Sequence, residues 1–149
     1  LNSLNVPQGS KRETILIKAS IAQAEVNRSD YYGKVVRVIE NRLAKDMTLG
    51  MDTINAYGFG LDDASQLTKS QLADSSNAYN SRVHKGLPPT PISNPGDDAI
   101  KAAINPPAGN WLYFVTVNLD TGETKFTDNS KTFNTYVKEY QQWSAAHGE

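Results

Sequence analysis

The sequence predicts an α+β domain, mainly helical, with a small antiparallel β-hairpin and long ordered loops rich in proline and glycine. Three features lead to that class. Ser10 with Glu13 three residues on has capping-box spacing and opens a run of apolar residues at helical intervals. The aromatic and β-branched segment Trp111–Val117 is followed by Asp120-Thr121-Gly122 and a second short strand. Between them, residues 79–98 hold four of the seven prolines, which restrict the backbone too strongly for a flexible linker.

In chain order, residues 1–9 read as a linker stub and 10–149 as one domain. The first helix is expected from Ser10 to about Val26. Ile15, Ala19, Ala22 and Val26 form one apolar stripe, and Ile17, Ile21 and Ala24 a second on the other side, the pattern of a buried helix. Ser29 and Asp30 are placed to cap a second helix over about Tyr31–Lys45, with Val35, Val38, Ile39 and Leu43 inward. Residues 46–64 lose helical period and carry Gly50, Gly58 and Gly60, so a loop, with or without a short strand, is expected. Thr68 and Gln71 repeat the capping-box spacing before a short helix. After the proline-rich loop come a short helix at Ala99–Ile104, the hairpin with its second strand at Glu123–Thr127, and a last amphipathic helix at about Lys131–Ser144. That helix presents Phe133, Val137, Tyr140 and Trp143.

Composition excludes several function classes. The chain has 149 residues, enough for one domain with a real core. Its net charge of -1 lacks the basic excess of a nucleic-acid binder. No cysteine is present, which removes disulfides, thiol catalysis and thiolate metal sites. His84 and His147 lie far apart, so a histidine metal site is not expected, and no motif calls for a cofactor. No run approaches the roughly 18 apolar residues of a membrane span. The start at Leu1 suggests a fragment whose anchor, if any, lies upstream.

Among the polar residues Glu25 stands out, because it follows Ile21 and Ala22 by one turn. A carboxyl against apolar surface has its protonated form favoured, as a general acid at neutral pH requires. The alternative is a helix-end glutamate that faces water. Arg42, near the end of the second helix, gains from the helix dipole and reads as structural. Asp52 and Tyr57 lie in the glycine-bearing region, where Asp is commonly a turn former. Tyr79 and Asn80 precede the proline-rich loop, and such a pair beside a cleft suits sugar binding as well as a turn. His84 with Ser81 or Ser93 has no nucleophile elbow to support it.

Taken in order, ASIAQAE at 19–25, ENRL at 40–43, MTLGMDTINAYG at 47–58, AYN at 78–80, GLPPTPISNPG at 86–96, IKAAINP at 100–106 and LYFV at 112–115 resemble the YceG-like family of endolytic murein transglycosylases. The resemblance implies a lysozyme-like, transglycosylase-type domain. It implies Glu25 as catalytic residue and a saccharide groove formed by Asp52, Tyr57, Tyr79, Asn80, Pro88, Pro89 and Asn94, with no metal or cofactor. It further implies cleavage of the MurNAc–GlcNAc bond without water, leaving a 1,6-anhydro-MurNAc end. The implied substrate is the glycan strand of peptidoglycan, with peptidoglycan synthases and penicillin-binding proteins as partners. The implied setting is a single-pass membrane protein, with a LysM-like module before this domain, facing the cell wall.

Three departures from the family pattern matter. Gln23 stands where a second Glu is frequent, Gly50 stands where Gln is usual, and Thr124 and Phe133 occupy places that often carry His. Gly50, Thr124 and Phe133 motivate a rival reading, a peptidoglycan-binding or scaffold domain without turnover. A hydrolase using water would instead need a second carboxylate near Glu25, for which Asp52 is the candidate.

Overall fold

The computed structural model describes residues 10–62 and 64–147; the predicted linker stub, residues 1–9, lies outside them. The elements in order are α1 (Ser10–Glu25), α2 (Tyr32–Ala44), α3 (Asp52–Gly58), α4 (Lys69–Leu72), α5 (Asp97–Ile104), β1 (Tyr113–Asn118), β2 (Glu123–Thr127) and α6 (Ser130–Ala146). The class is α+β. Among the described residues no helix is long and apolar enough to cross a membrane.

α1, α2 and α5 pack against one another, and α1 also meets α3. Ile17, Ala19, Ile21 and Ala22 on α1 are buried, as are Val35, Val36, Val38 and Ile39 on α2 and Ala99, Ile100 and Ala103 on α5. The two-sided apolar pattern of α1 therefore reports a helix covered from both sides. The second stripe is shorter than expected: Ala24 is exposed, because α1 ends one residue later at the rim of a cleft.

Residues 46–64 hold a helix rather than a loop. α3 buries Ile54, Asn55 and Ala56, and the polar Asn55 in the buried set is what hides its period from a hydrophobicity count. Gly50 and Gly60, both at positive φ (61° and 69°), bracket it. Ser29 and Asp30 do not cap α2 by their side chains. They form a 3₁₀ turn, Ser29–Tyr31, and both Asp30 oxygens are taken by Arg28 at 3.2 and 2.8 Å. The capping box at Thr68 and Gln71 forms in full. α6 starts behind Asn129, whose Oδ1 accepts from the backbone N–H of Lys131 and Thr132.

β1 and β2 pair antiparallel, Tyr113 with Thr127 through Asn118 with Glu123, with an irregularity between Thr116 and Asn118. Gly122 closes the turn at φ 77°, where a Cβ would run into Asn27 and the Arg28 stem. The hairpin tip therefore lies directly on the segment that follows Glu25. α6 covers the hairpin, with Phe133 stacked on Tyr113 at 5.2 Å.

Candidate active site

The hairpin layer is tied to the helical core by the polar face of α2. Arg37 donates from Nε to the Pro107 carbonyl (2.8 Å), and Asn41 donates from Nδ2 to Gly109 (3.1 Å) and Trp111 (2.9 Å). Arg42 donates to three carbonyls: Leu112 (2.6 Å), Thr48 (2.8 Å) and Leu49 (2.9 Å). Its guanidinium also lies 5.1 Å from the Tyr113 ring centre. Burial draws the Arg42 pKa below its ordinary value, and Tyr113 partly offsets this. Asn41 and Arg42 thus hold the start of β1 and the 48–49 strap beside the end of α1.

Glu25 sits at that seam. On one side it opens on a cavity of about 100 Å³ shared with Arg42, Leu49, Gly50, Met51, Tyr113, Phe114 and Phe133. On the other it opens on a wider cavity of about 370 Å³, walled by Gln23, Asn27, Tyr32, Thr116 and Leu119. A carboxyl shared by two cavities can exchange its proton with a molecule lying in either. Burial raises the Glu25 pKa from 4.5 to about 7, and the nearby Asp52 charge adds to the rise. Thr53, whose hydroxyl faces the carboxyl, acts in the opposite sense. At neutral pH a large share of Glu25 is therefore protonated.

The remaining predicted residues are placed unequally. Asp52 lies near enough to Glu25 to act through its charge, and both its oxygens are bound by Arg82 at 2.9 Å. Tyr57 and Tyr79 form an aromatic pair with centres 5.1 Å apart, on an open surface with Gly60, Asp62 and Ile92. Tyr57 stands one turn beyond Thr53 on α3, which places the pair roughly 6 Å along the helix from the residue facing Glu25.

Asn80 is wholly buried. Its Nδ2 donates to the Leu72 and Asp74 carbonyls, and its Oδ1 accepts from Asn55 and from the Arg82 N–H, so it shapes the loop from inside. Pro88 is buried beside a small crevice with Tyr79 and Leu87, while Pro89 and Asn94 are exposed. None of these three lines either cavity at Glu25. The 92–96 segment is instead hydrogen-bonded to α1 at Ser20 and Gln23, and Gln23 also accepts the Gly96 N–H and donates to Tyr32 Oη. Proline rigidity here braces the helix that carries Glu25.

Several lining residues escaped the sequence reading. Thr53, Tyr32, Thr116 and Tyr113 reach the site because separate elements converge there, and local pattern does not report convergence. Phe133, one of the departures from the family pattern, stands in the wall of the smaller cavity. Thr124 is buried and paired with Thr116 at 2.8 Å, so it fills the hairpin behind the larger one. His84 is exposed, with Nε2 2.8 Å from the Ser75 carbonyl, and no serine stands with it as a nucleophile. Among the described residues no cluster of His, Asp and Glu could hold a metal ion.

The model of the YceG-like family matches residues 3–139. The chain belongs to the YceG-like family. A relative from Bacillus subtilis (strain 168), named endolytic murein transglycosylase, is 32% identical over 126 residues, covering 85% of this chain and 34% of that protein. The crystal structure of a YceG-like protein from Listeria monocytogenes superposes with a TM-score of 0.77 at 33% identity, over 85% of this chain and 40% of that one. This YceG-like chain thus spans about a third of the Bacillus relative and two fifths of the Listeria chain.

Proposed function

We propose that this domain is a lytic transglycosylase of peptidoglycan, with Glu25 as its single acid and base. The observation that carries the reading is a lone carboxyl, pKa about 7, between two adjoining cavities. Its relative's name, endolytic murein transglycosylase, supports the substrate class. In the proposed reaction the glycan lies across both cavities in the manner of a lysozyme groove. The Glu25 proton passes to the oxygen between MurNAc and GlcNAc, that bond breaks, and the carboxylate then accepts the C6 hydroxyl proton as O6 joins C1. The product ends in 1,6-anhydro-MurNAc. The intramolecular nucleophile takes the place of water and of the second carboxylate that ordinary glycosidases use, with the entropic advantage of proximity.

Asp52 is suited to keep Glu25 protonated rather than to activate a water, since both its oxygens are engaged by Arg82. Tyr57 and Tyr79 offer a ring face to a sugar farther along the strand. The same reading puts the domain, residues 10–149, outside the cytoplasmic membrane beside the synthases that supply its substrate. Mass spectrometry of uncrosslinked glycan strands, incubated with this chain and with Glu25→Gln, tests it. Internal cuts ending in 1,6-anhydro-MurNAc, absent with the variant, are expected. Reducing MurNAc ends would mean a hydrolase, and strand binding without cuts would mean a scaffold.

A further inference from the structure

Thr53 Oγ1 is buried and has no hydrogen-bond partner; among the described residues no other buried side-chain nitrogen or oxygen is in that condition. A hydroxyl so placed costs stability that an isosteric valine would not. Packing therefore gives no reason for it. The group it acts on is the Glu25 carboxyl, near enough for the hydroxyl to lower its pKa but not in bonding geometry with it. Resting on the reading of Glu25 as acid and base, we propose that Thr53 is a positioning residue, whose hydroxyl donates to the Glu25 carboxylate in the interval between the two proton transfers.

The chemistry of that interval explains a partner that is idle at rest. While Glu25 is protonated, its own O–H is directed at the glycosidic oxygen and Thr53 has no anion to bind. When the proton leaves with the departing sugar oxygen, an anion appears in a half-buried site. Thr53 then donates to one carboxylate oxygen and leaves the other open to the C6 hydroxyl. Once that proton arrives Glu25 is neutral and Thr53 is unpaired again. An interaction made only when charge develops accelerates a reaction, whereas one made equally at rest does not.

The charged groups around Glu25 do not serve this purpose. Asp52 on α3 opposes the anion, and Arg42 on α2, which lines the same cavity, directs Nε and Nη1 at carbonyls and does not act on the Glu25 carboxyl. Tyr113 on β1 lies under that guanidinium. On the other side, Gln23 gives its amide N–H to Tyr32 Oη. Among the influences on the carboxyl, Thr53 alone favours its ionised form.

The test is a carbon-13 titration of the Glu25 side-chain carboxyl in the wild type, Thr53→Val and Thr53→Ser, with Glu25→Gln to assign the signal. Thr53→Val is expected to raise the midpoint above about 7 by about one further unit. Thr53→Ser stays near the wild-type value, and the Tm of the valine variant is equal or higher. Anhydro-end formation by Thr53→Val falls about tenfold, and its loss at alkaline pH moves upward with the midpoint. An unmoved midpoint, or equal shifts in both variants, overturns the proposal, even where the wild type makes anhydro ends. A moved midpoint with no anhydro ends from the wild type overturns the transglycosylase reading and leaves the hydroxyl–carboxylate bond standing.

Discussion

α1, α2 and α5 bury Ala19, Ile21, Val35, Val38 and Ala99 completely, whereas α6 buries no residue fully and the strands beneath it bury only Val117 and Thr124. Glu25 belongs to the first region by its backbone and faces the second with its side chain. The acid is thus carried by the close-packed half of the molecule, where displacement breaks many contacts at once. Phe133, Tyr113, Thr116 and Leu119, which wall the groove, belong to the thinner half. The division suits the proposed reaction, which needs one proton donor held rigidly and room for a long polymer. What joins the halves is polar: Arg37, Asn41 and Arg42 reaching from α2 to the carbonyls of residues 106–112.

The largest effect is expected at the acid itself. Glu25→Gln removes the transferable proton and lowers anhydro-end formation by about 10²–10⁴-fold, read by product mass spectrometry, with the far-ultraviolet spectrum unchanged. Next comes the seam. Arg42→Leu strips three carbonyls of their donor and is expected to cost roughly 2–4 kcal/mol, measured by urea unfolding. Arg42→Lys recovers charge but not the fork, so it falls between. If Arg42→Leu unfolds at the wild-type midpoint, the two halves do not depend on this clamp.

The third effect is pH-dependent. Glu25 titrates at about 7 in the folded chain against 4.5 as the reference value. Between those limits the folded state binds more protons, so its stability falls as pH rises from 4.5 toward 7. Glu25→Gln should therefore exceed the wild type by about 1–3 kcal/mol at pH 8 and lose that advantage near pH 4. The catalytic counterpart is a rate that declines above pH of about 7, as the proton donor is lost. Equal pH profiles of unfolding for the two proteins would show that Glu25 is solvated. Asn41→Ala, which removes two bonds from the seam, is expected to cost about 1–2 kcal/mol. The smallest effect is at the edge of the groove: Tyr57→Ala should raise KM for long strands by roughly two- to tenfold, with little change for short ones.

Much of the scaffold was legible from local pattern. The two-sided apolar stripes of α1 announced a buried helix, Thr68 and Gln71 announced a capping box, and β2 lies where its residues indicated. α3 was not legible, because Asn55 is buried by pairing with Asn80 and Ser81, 25 and 26 residues away, and a hydrophobicity pattern counts Asn as outward. Ser29 and Asp30 misled for a similar reason, since Arg28 competes for the carboxylate that would have made the cap.

The sequence by itself determined the helical class, the hairpin, the absence of thiol chemistry and, through its ordered motifs, the family and the residue to watch. Those properties depend on neighbours within a few positions, or on order along the chain. Tertiary structure alone decided that Glu25 is flanked by two cavities, that Asp52 is held by Arg82, and that Asn80 and Pro88 are turned inward while Thr53 is left unpaired beside the acid. Burial, charge proximity and the saturation of hydrogen bonds are properties of what surrounds a group, and those surroundings come from residues far away in the chain.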